Sequence, residues 1–151
     1  MWMVRRLKNL GADDVDLVDI YTKQIRSILE LAAPAWHGGI TQTERLDIER
    51  IQKSAAHIIL GEDYISYSAA LHERNLESLE SRRNKLCLKF CLKAEKYEKH
   101  RNWFKHNTVK VNTRQEKTKY CDVKAKHTRF EKNPLCFLTK MLNQHYRKKS
   151  T

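Results

Sequence analysis

The chain is poor in the residues that build turns: four glycines and two prolines among 151, too few for a protein of hairpins and tight strand connections. Helices are the expectation. It also has no run near the roughly 20 uncharged apolar residues of a membrane span, and its start, Met1-Trp2-Met3-Val4-Arg5-Arg6, lacks the apolar core of a signal peptide. An intracellular protein away from the membrane is expected, with no feature that selects nucleus or cytoplasm. Arg147-Lys148-Lys149 is too short for a nuclear address. The four cysteines include no Cys-x-x-Cys pair and do not resemble the disulfide framework of a small secreted domain. A Gly-rich phosphate loop is missing, and no Ser or Cys stands in a nucleophile motif. These absences point away from an enzyme, a cofactor and a small-molecule substrate.

What the chain does have is positive charge. Lys and Arg number 30 against 18 Asp and Glu, a formal net of +12. The placement is uneven: through His100 there are 16 basic and 15 acidic residues, whereas beyond it 14 basic residues meet only three acidic ones, a net of +11. This is the pattern of a near-neutral folded body carrying a basic tail, and a polyanion is the matching partner. The length fits one compact domain of the usual size. The apolar fraction of 40% and the charged fraction of 32% describe an elongated or partly disordered molecule with exposed faces.

Periodicity supplies the elements. Over 14–33, Leu17, Val18, Tyr21, Ile25, Ile28, Leu29 and Ala32 share one helical face, with Asp19, Lys23, Arg26 and Glu30 opposite. Asp13 or Asp14 is placed to cap its start, and Pro34 with Gly38-Gly39 ends it in a turn that Trp36 anchors. Thr41-Gln42-Thr43-Glu44 has the spacing of a capping box, in which hydroxyl and carboxylate each satisfy an orphan backbone amide. The helix it opens turns Ile48, Ile51, Ala55, Ile58 and Ile59 to one side and closes at Gly61. Ser66 or Ser68 caps a short helix closing near Asn75, and the longest pattern runs from Glu77 to Lys99 with Leu79, Leu86, Cys87, Phe90, Ala94 and Tyr97 inward. Residues 100–132 lose periodicity and read as extended or disordered chain with a short strand near 108–111; Asn133 and Pro134 then open a short terminal helix near 134–145. The fold class expected is all-α, a small bundle of about four helices over 1–99, with a basic, partly disordered tail over 100–151 that ends in a short helix.

On the long helix, at about 100° per residue, Arg82, Lys85, Lys89, Lys93, Lys96 and Lys99 fall in one sector, apart from Glu77, Glu80, Glu95 and Glu98. A row of cations can follow a phosphate backbone, releasing counterions as it binds; the same row also serves as an ordinary solvated face. Arg83 falls amid the apolar side chains, where a cation needs an anionic partner or must snorkel out. The tail adds Lys105, Lys110, Arg114, Lys117, Lys119, Lys124, Lys126 and Arg129, interleaved with Trp103, Phe104, Tyr120 and Phe130, a composition suited to single strands and equally to a solvated linker. Metal chemistry fits poorly. Gly11-Ala12-Asp13-Asp14 has the paired carboxylates of a polymerase metal site without the aromatic, the flanking strands or an upstream carboxylate. Cys87, Cys91, His100 and His106 have no standard zinc spacing, and Cys87 continues a core stripe. His37, His57 and His72 read as surface or capping residues.

The ordered set Arg5-Arg6-Leu7-Lys8-Asn9-Leu10-Gly11, Ile25-Arg26-Ser27 with Leu29-Glu30 and Pro34-x-Trp36, Thr41 with Gln52-Lys53, Ile58-Ile59-Leu60-Gly61 before Tyr64, Ala70-Leu71, Leu76, Leu79 and Arg82-Arg83 resembles the region downstream of the catalytic palm in reverse transcriptases of jockey and related LINE-like non-LTR retrotransposons. The resemblance covers roughly 1–104, with a looser echo at Thr113-Arg114, Tyr120-Cys121 and Arg129-Phe130. It implies a helical thumb and connection that grips RNA, DNA or an RNA–DNA hybrid beside a polymerase palm, itself without catalytic carboxylates. The palm would be a further partner. The contacts carried over are Arg82, Arg83 and their neighbours. The second reading is a structural or interaction module or a truncated element remnant with no independent activity, and the third a zinc-stabilised knuckle.

Overall fold

Local signals draw most of the helix borders. The computed structural model describes residues 1–108, 118–122 and 133–150. Its helices are α1 (Trp2–Asn9), α2 (Asp14–Ile20), a π-helical segment Tyr21–Arg26, α3 (Ser27–Glu30), α4 (Ala33–Trp36), α5 (Gln42–Leu60), a 3₁₀ turn Gly61–Asp63, α6 (Tyr67–Glu73), α7 (Leu79–Lys96), α8 (Glu98–Arg101) and α9 (Pro134–Ser150). The all-α class holds. The count of about four is too low, because pieces such as α1 and α4, eight and four residues long, are too short to register as periods.

The borders are made where the capping residues stand. Thr41 Oγ1 accepts from Glu44 N at 3.3 Å while Thr41 N donates to the Glu44 carboxylate at 2.6 Å, which is the capping box that opens α5. Ser66 Oγ accepts from Ala69 N at the start of α6, and Asn133 Oδ1 accepts from Leu135 N as Pro134 takes the first position of α9. Asp13 stands at the N-cap of α2 without a side-chain cap bond; Asp14 instead pairs with Arg74 at 2.6 Å. Gly11 at φ +84° and Asn75 at φ +50° end α1 and α6. In both, two bonds return to the last turn: Ala12 N to Leu7 O with Gly11 N to Lys8 O, and Leu76 N to Leu71 O with Asn75 N to His72 O. That pairing satisfies the orphan carbonyls of a helix end.

Two compact units follow, one of Met1–Ala32 with Thr41–Arg83, the other of Ala33–Ile40 with the chain from Asn84 onward. The border lies inside α7. In the first unit Val4, Leu17, Tyr21, Ala55 and Ile59 form one buried cluster, and Ala56, Leu60 and Ala70 another. Gln52, fully buried, accepts from Tyr21 Oη at 2.9 Å and donates to Tyr67 Oη at 3.0 Å and to Glu77 O at 2.9 Å. The expected single helix over 14–33 is broken by the π-helical segment. A π turn holds an extra residue, so the 3.6-residue phase is lost beyond it, and Ile28 stands 71% exposed rather than on the inner face.

In the second unit Cys87, Cys91 and Ala94 of α7, Leu138 and Leu142 of α9, Phe104 and Tyr120 make the core. His106 and Tyr120 form an isolated antiparallel bridge, with Asn107 N donating to Lys119 O and Cys121 N to Lys105 O. Part of the basic stretch is therefore pinned to the core. Asn143, buried in α9, accepts from Tyr120 N at 3.0 Å and donates to Tyr120 O at 3.1 Å and Asp122 at 3.0 Å. α9 runs well past the expected end near 145. The possible strand near 108–111 falls almost wholly outside the described residues.

Candidate nucleic-acid interface

The candidate cations separate by what holds them. Arg82 gives two hydrogen bonds to the Glu30 carboxylate, at 2.5 Å from Nε and 3.0 Å from Nη2, within the first unit. The bonds to Glu30 raise its guanidinium pKa further. Arg83 is 0% exposed, and burial lowers its pKa against the opposing pull of Glu49 and Glu80. A fully buried guanidinium is not presented to a phosphate, so Arg83 of the pair carried over from the family resemblance is not a surface contact, whereas Arg82, its side chain 31% exposed, is engaged by Glu30. Sequence periodicity had already placed Arg83 on the inner face.

Lys85, Lys89, Lys93 and Lys96 are all exposed on the second-unit part of α7, within a sector of roughly 80°. α7 ends at Lys96, because Tyr97 adopts extended backbone at φ −85°, ψ 125°. Lys99 is exposed on α8 and leaves the row. Lys105 is exposed on the chain that follows. Arg114, Lys110, Lys117, Lys124, Lys126, Arg129 and Phe130 lie outside the described residues.

The aromatics expected to interleave with the tail cations also divide. Phe104 and Tyr120 are core residues, their ring centroids 5.8 Å apart, and are closed to a ligand. Trp103 is 43% exposed. Two further rings, expected in the core, join it at the surface: Phe90 at 37% and Tyr97 at 54% exposure. In the second unit the core face of α7 is instead Cys87, Cys91 and Ala94, and Phe90 falls between it and the lysine row. The helix angle of Phe90 and Tyr97, roughly 40–60° round from Lys93, was the available signal. Lys93 Nζ lies 5.8 Å from the Tyr97 ring centroid. Phe90, Lys93, Ala94, Tyr97 and His100 line a depression of about 330 Å³.

Other candidates take structural places. Cys91 Sγ contacts Leu138 O, and burial pushes its thiol up to about 12, which suits a core residue rather than a thiolate. His106 faces the Tyr120 ring at 4.9 Å and His100 faces Trp103 at 4.4 Å. Among the described residues no three His, Cys, Asp or Glu side chains converge to hold a metal ion, and no helix is long and apolar enough to cross a membrane. His37 departs from its expected surface place: it is fully buried, hydrogen-bonded through Nε2 to Asn84 Oδ1 at 2.9 Å and edge-on to Phe137. His57 and His72 are exposed. Comparisons with protein-family models, curated proteins and solved structures found no match.

Proposed function

We propose that this chain binds nucleic acid without sequence preference, as a non-catalytic, thumb-like part of a retroelement RNA-directed DNA polymerase. The observation that carries the reading is the row Lys85, Lys89, Lys93 and Lys96, all exposed on one face of α7, beside exposed rings and in a chain with a net charge of +12. Cations spaced about one helical turn apart meet successive phosphates, and each neutralised phosphate releases condensed counterions. RNA, DNA and hybrid duplex are the partners proposed. The test is fluorescence anisotropy of the full chain with labelled RNA, DNA and hybrid across a salt series. Replacing Lys85, Lys89, Lys93 and Lys96 by Gln is expected to weaken binding to all three and flatten the salt slope by roughly 0.7–0.9 per lost phosphate contact. An unchanged slope removes the row from the interface.

A second reading, a module that docks onto other protein surfaces, draws on the first unit, where Trp2, Leu10, Val15, Ile28, Leu31 and Ile65 are large, apolar and exposed.

A further inference from the structure

The depression beside the lysine row has a composition that a phosphate-binding row does not require. It is lined by the rings of Phe90, Tyr97 and His100, by buried Ala94 and by exposed Lys93. Trp103 extends the aromatic surface, with its ring 4.4 Å from His100 and 6.2 Å from Phe90, centroid to centroid. The rings are tilted to one another by 35–46°, so their open faces are not consumed by mutual stacking. At about 330 Å³ the depression lies at the small end of the range for small-molecule pockets.

The occupant follows from shape and charge. Aromatic walls accept either a cation over their faces or a flat ring stacked against them. A cation is disfavoured, since the Lys93 ammonium already lies over Tyr97 and none of the lining residues is acidic. A flat ring that carries negative charge on its flank meets both needs: its face stacks on Tyr97 or Phe90, and its charge falls to Lys93 with Lys89 and Lys96 on the same helix face. We infer that this depression takes an unpaired nucleobase of a bound strand, with the adjoining phosphates on the lysine row. The inference rests on the nucleic-acid-binding reading and extends it, because a duplex alone offers phosphates but hides its base faces.

The test separates the two. Anisotropy titrations with the full chain use 12-nucleotide oligouridine and oligodeoxyuridine at a fixed low salt, each against an abasic strand of the same length and charge. The base-bearing strand is expected to bind on the order of tenfold tighter than its abasic counterpart, and the arm with the larger gap identifies the preferred sugar. Phe90→Ala with Tyr97→Ala should erase the gap and leave abasic binding and its salt slope as they were. Both side chains are exposed, so folding is expected to survive, and circular dichroism checks it. Tyr97→Phe, which keeps the ring, should retain the gap. Equal binding of base-bearing and abasic strands, or a gap that persists in the double variant, overturns the nucleobase site while leaving the lysine row standing. Failure of every strand to bind overturns both.

Discussion

Glu95 gathers three donors from two places far along the chain. Lys119 Nζ reaches one carboxylate oxygen at 2.6 Å, Tyr120 Oη donates to the same oxygen, and Tyr146 Oη reaches the other at 2.6 Å. Lys119 also lies 3.7 Å from the Tyr146 ring centroid. Burial by itself raises the carboxyl pKa, but the three donors outweigh it and bring it from the ordinary 4.5 down to about 2. A folded-state pKa below the unfolded one gives stability that is present at neutral pH and is lost as the carboxylate is protonated, between roughly pH 4.5 and pH 2. Glu95→Gln is therefore expected to destabilise the second unit at pH 7 and to flatten the acid limb of its stability profile, read by urea unfolding from pH 7 to pH 2. An unaltered acid limb assigns the loss to other carboxylates. Little of this was legible in the sequence, where Glu95 counts only as an acid set apart from the lysine row. Its donors are tertiary neighbours with no local pattern. The same holds for Gln52 and His37, whose burial depends on partners brought in from other elements.

Elements that close on themselves were far more legible than elements that depend on a neighbour. Thr41 with Glu44, Ser66 and Asn133-Pro134 mark helix starts by bonds spanning at most three residues, so the sequence alone contains both donor and acceptor. α4 was invisible by comparison, a four-residue helix where Pro34 and Gly38-Gly39 signal a turn. Its position explains Gly38 better than turn geometry does. A Cβ on Gly38 would stand 2.5 Å from Phe137 Cβ and Cγ on α9, and the two lie in the same unit. Overpacking of that kind commonly costs about 1–3 kcal/mol. Gly38→Ala is expected to lower the unfolding free energy by an amount in that range, read as a lower urea midpoint with the slope unchanged; a midpoint within error of the parent would mean that Phe137 swings aside freely. On α7 the element-scale reading erred through its width. Periodicity placed Phe90 and Tyr97 inside, but the stripe packed in the second unit is Cys87, Cys91 and Ala94, a sector of roughly 60° that leaves the two rings in solvent beside the lysines.

Across the whole molecule the charge boundary and the packing boundary do not coincide. Charge divides the chain at about His100, whereas the compact units divide between Arg83 and Asn84, inside one helix. The lysines from 85 to 96 thus belong to the unit that also contains Lys105 and Lys119, which concentrates cations there. The first unit instead exposes apolar side chains. Ile28 on α3 and Leu31 just past its end, both 71% exposed, are joined by a hydrogen bond from Leu31 N to Ile28 O at 3.2 Å. If docking onto protein is a role of this unit, sedimentation at rising concentration is expected to show self-association that Ile28→Gln with Leu31→Gln reduces. A monomer at all concentrations, in parent and variant alike, counts against that role.

The sequence by itself determined the helical class, the main helix borders, the lysine row of α7 and the concentration of charge beyond residue 100, because composition, capping and period act over a few residues. Tertiary structure alone decided that Arg82 is held by Glu30, that Lys99 leaves the row, and that Phe90, Tyr97 and Trp103 meet at a surface depression. Burial and exposure depend on which distant segment packs against a side chain, and that choice is made by the sum of the core contacts rather than by any one stretch of residues.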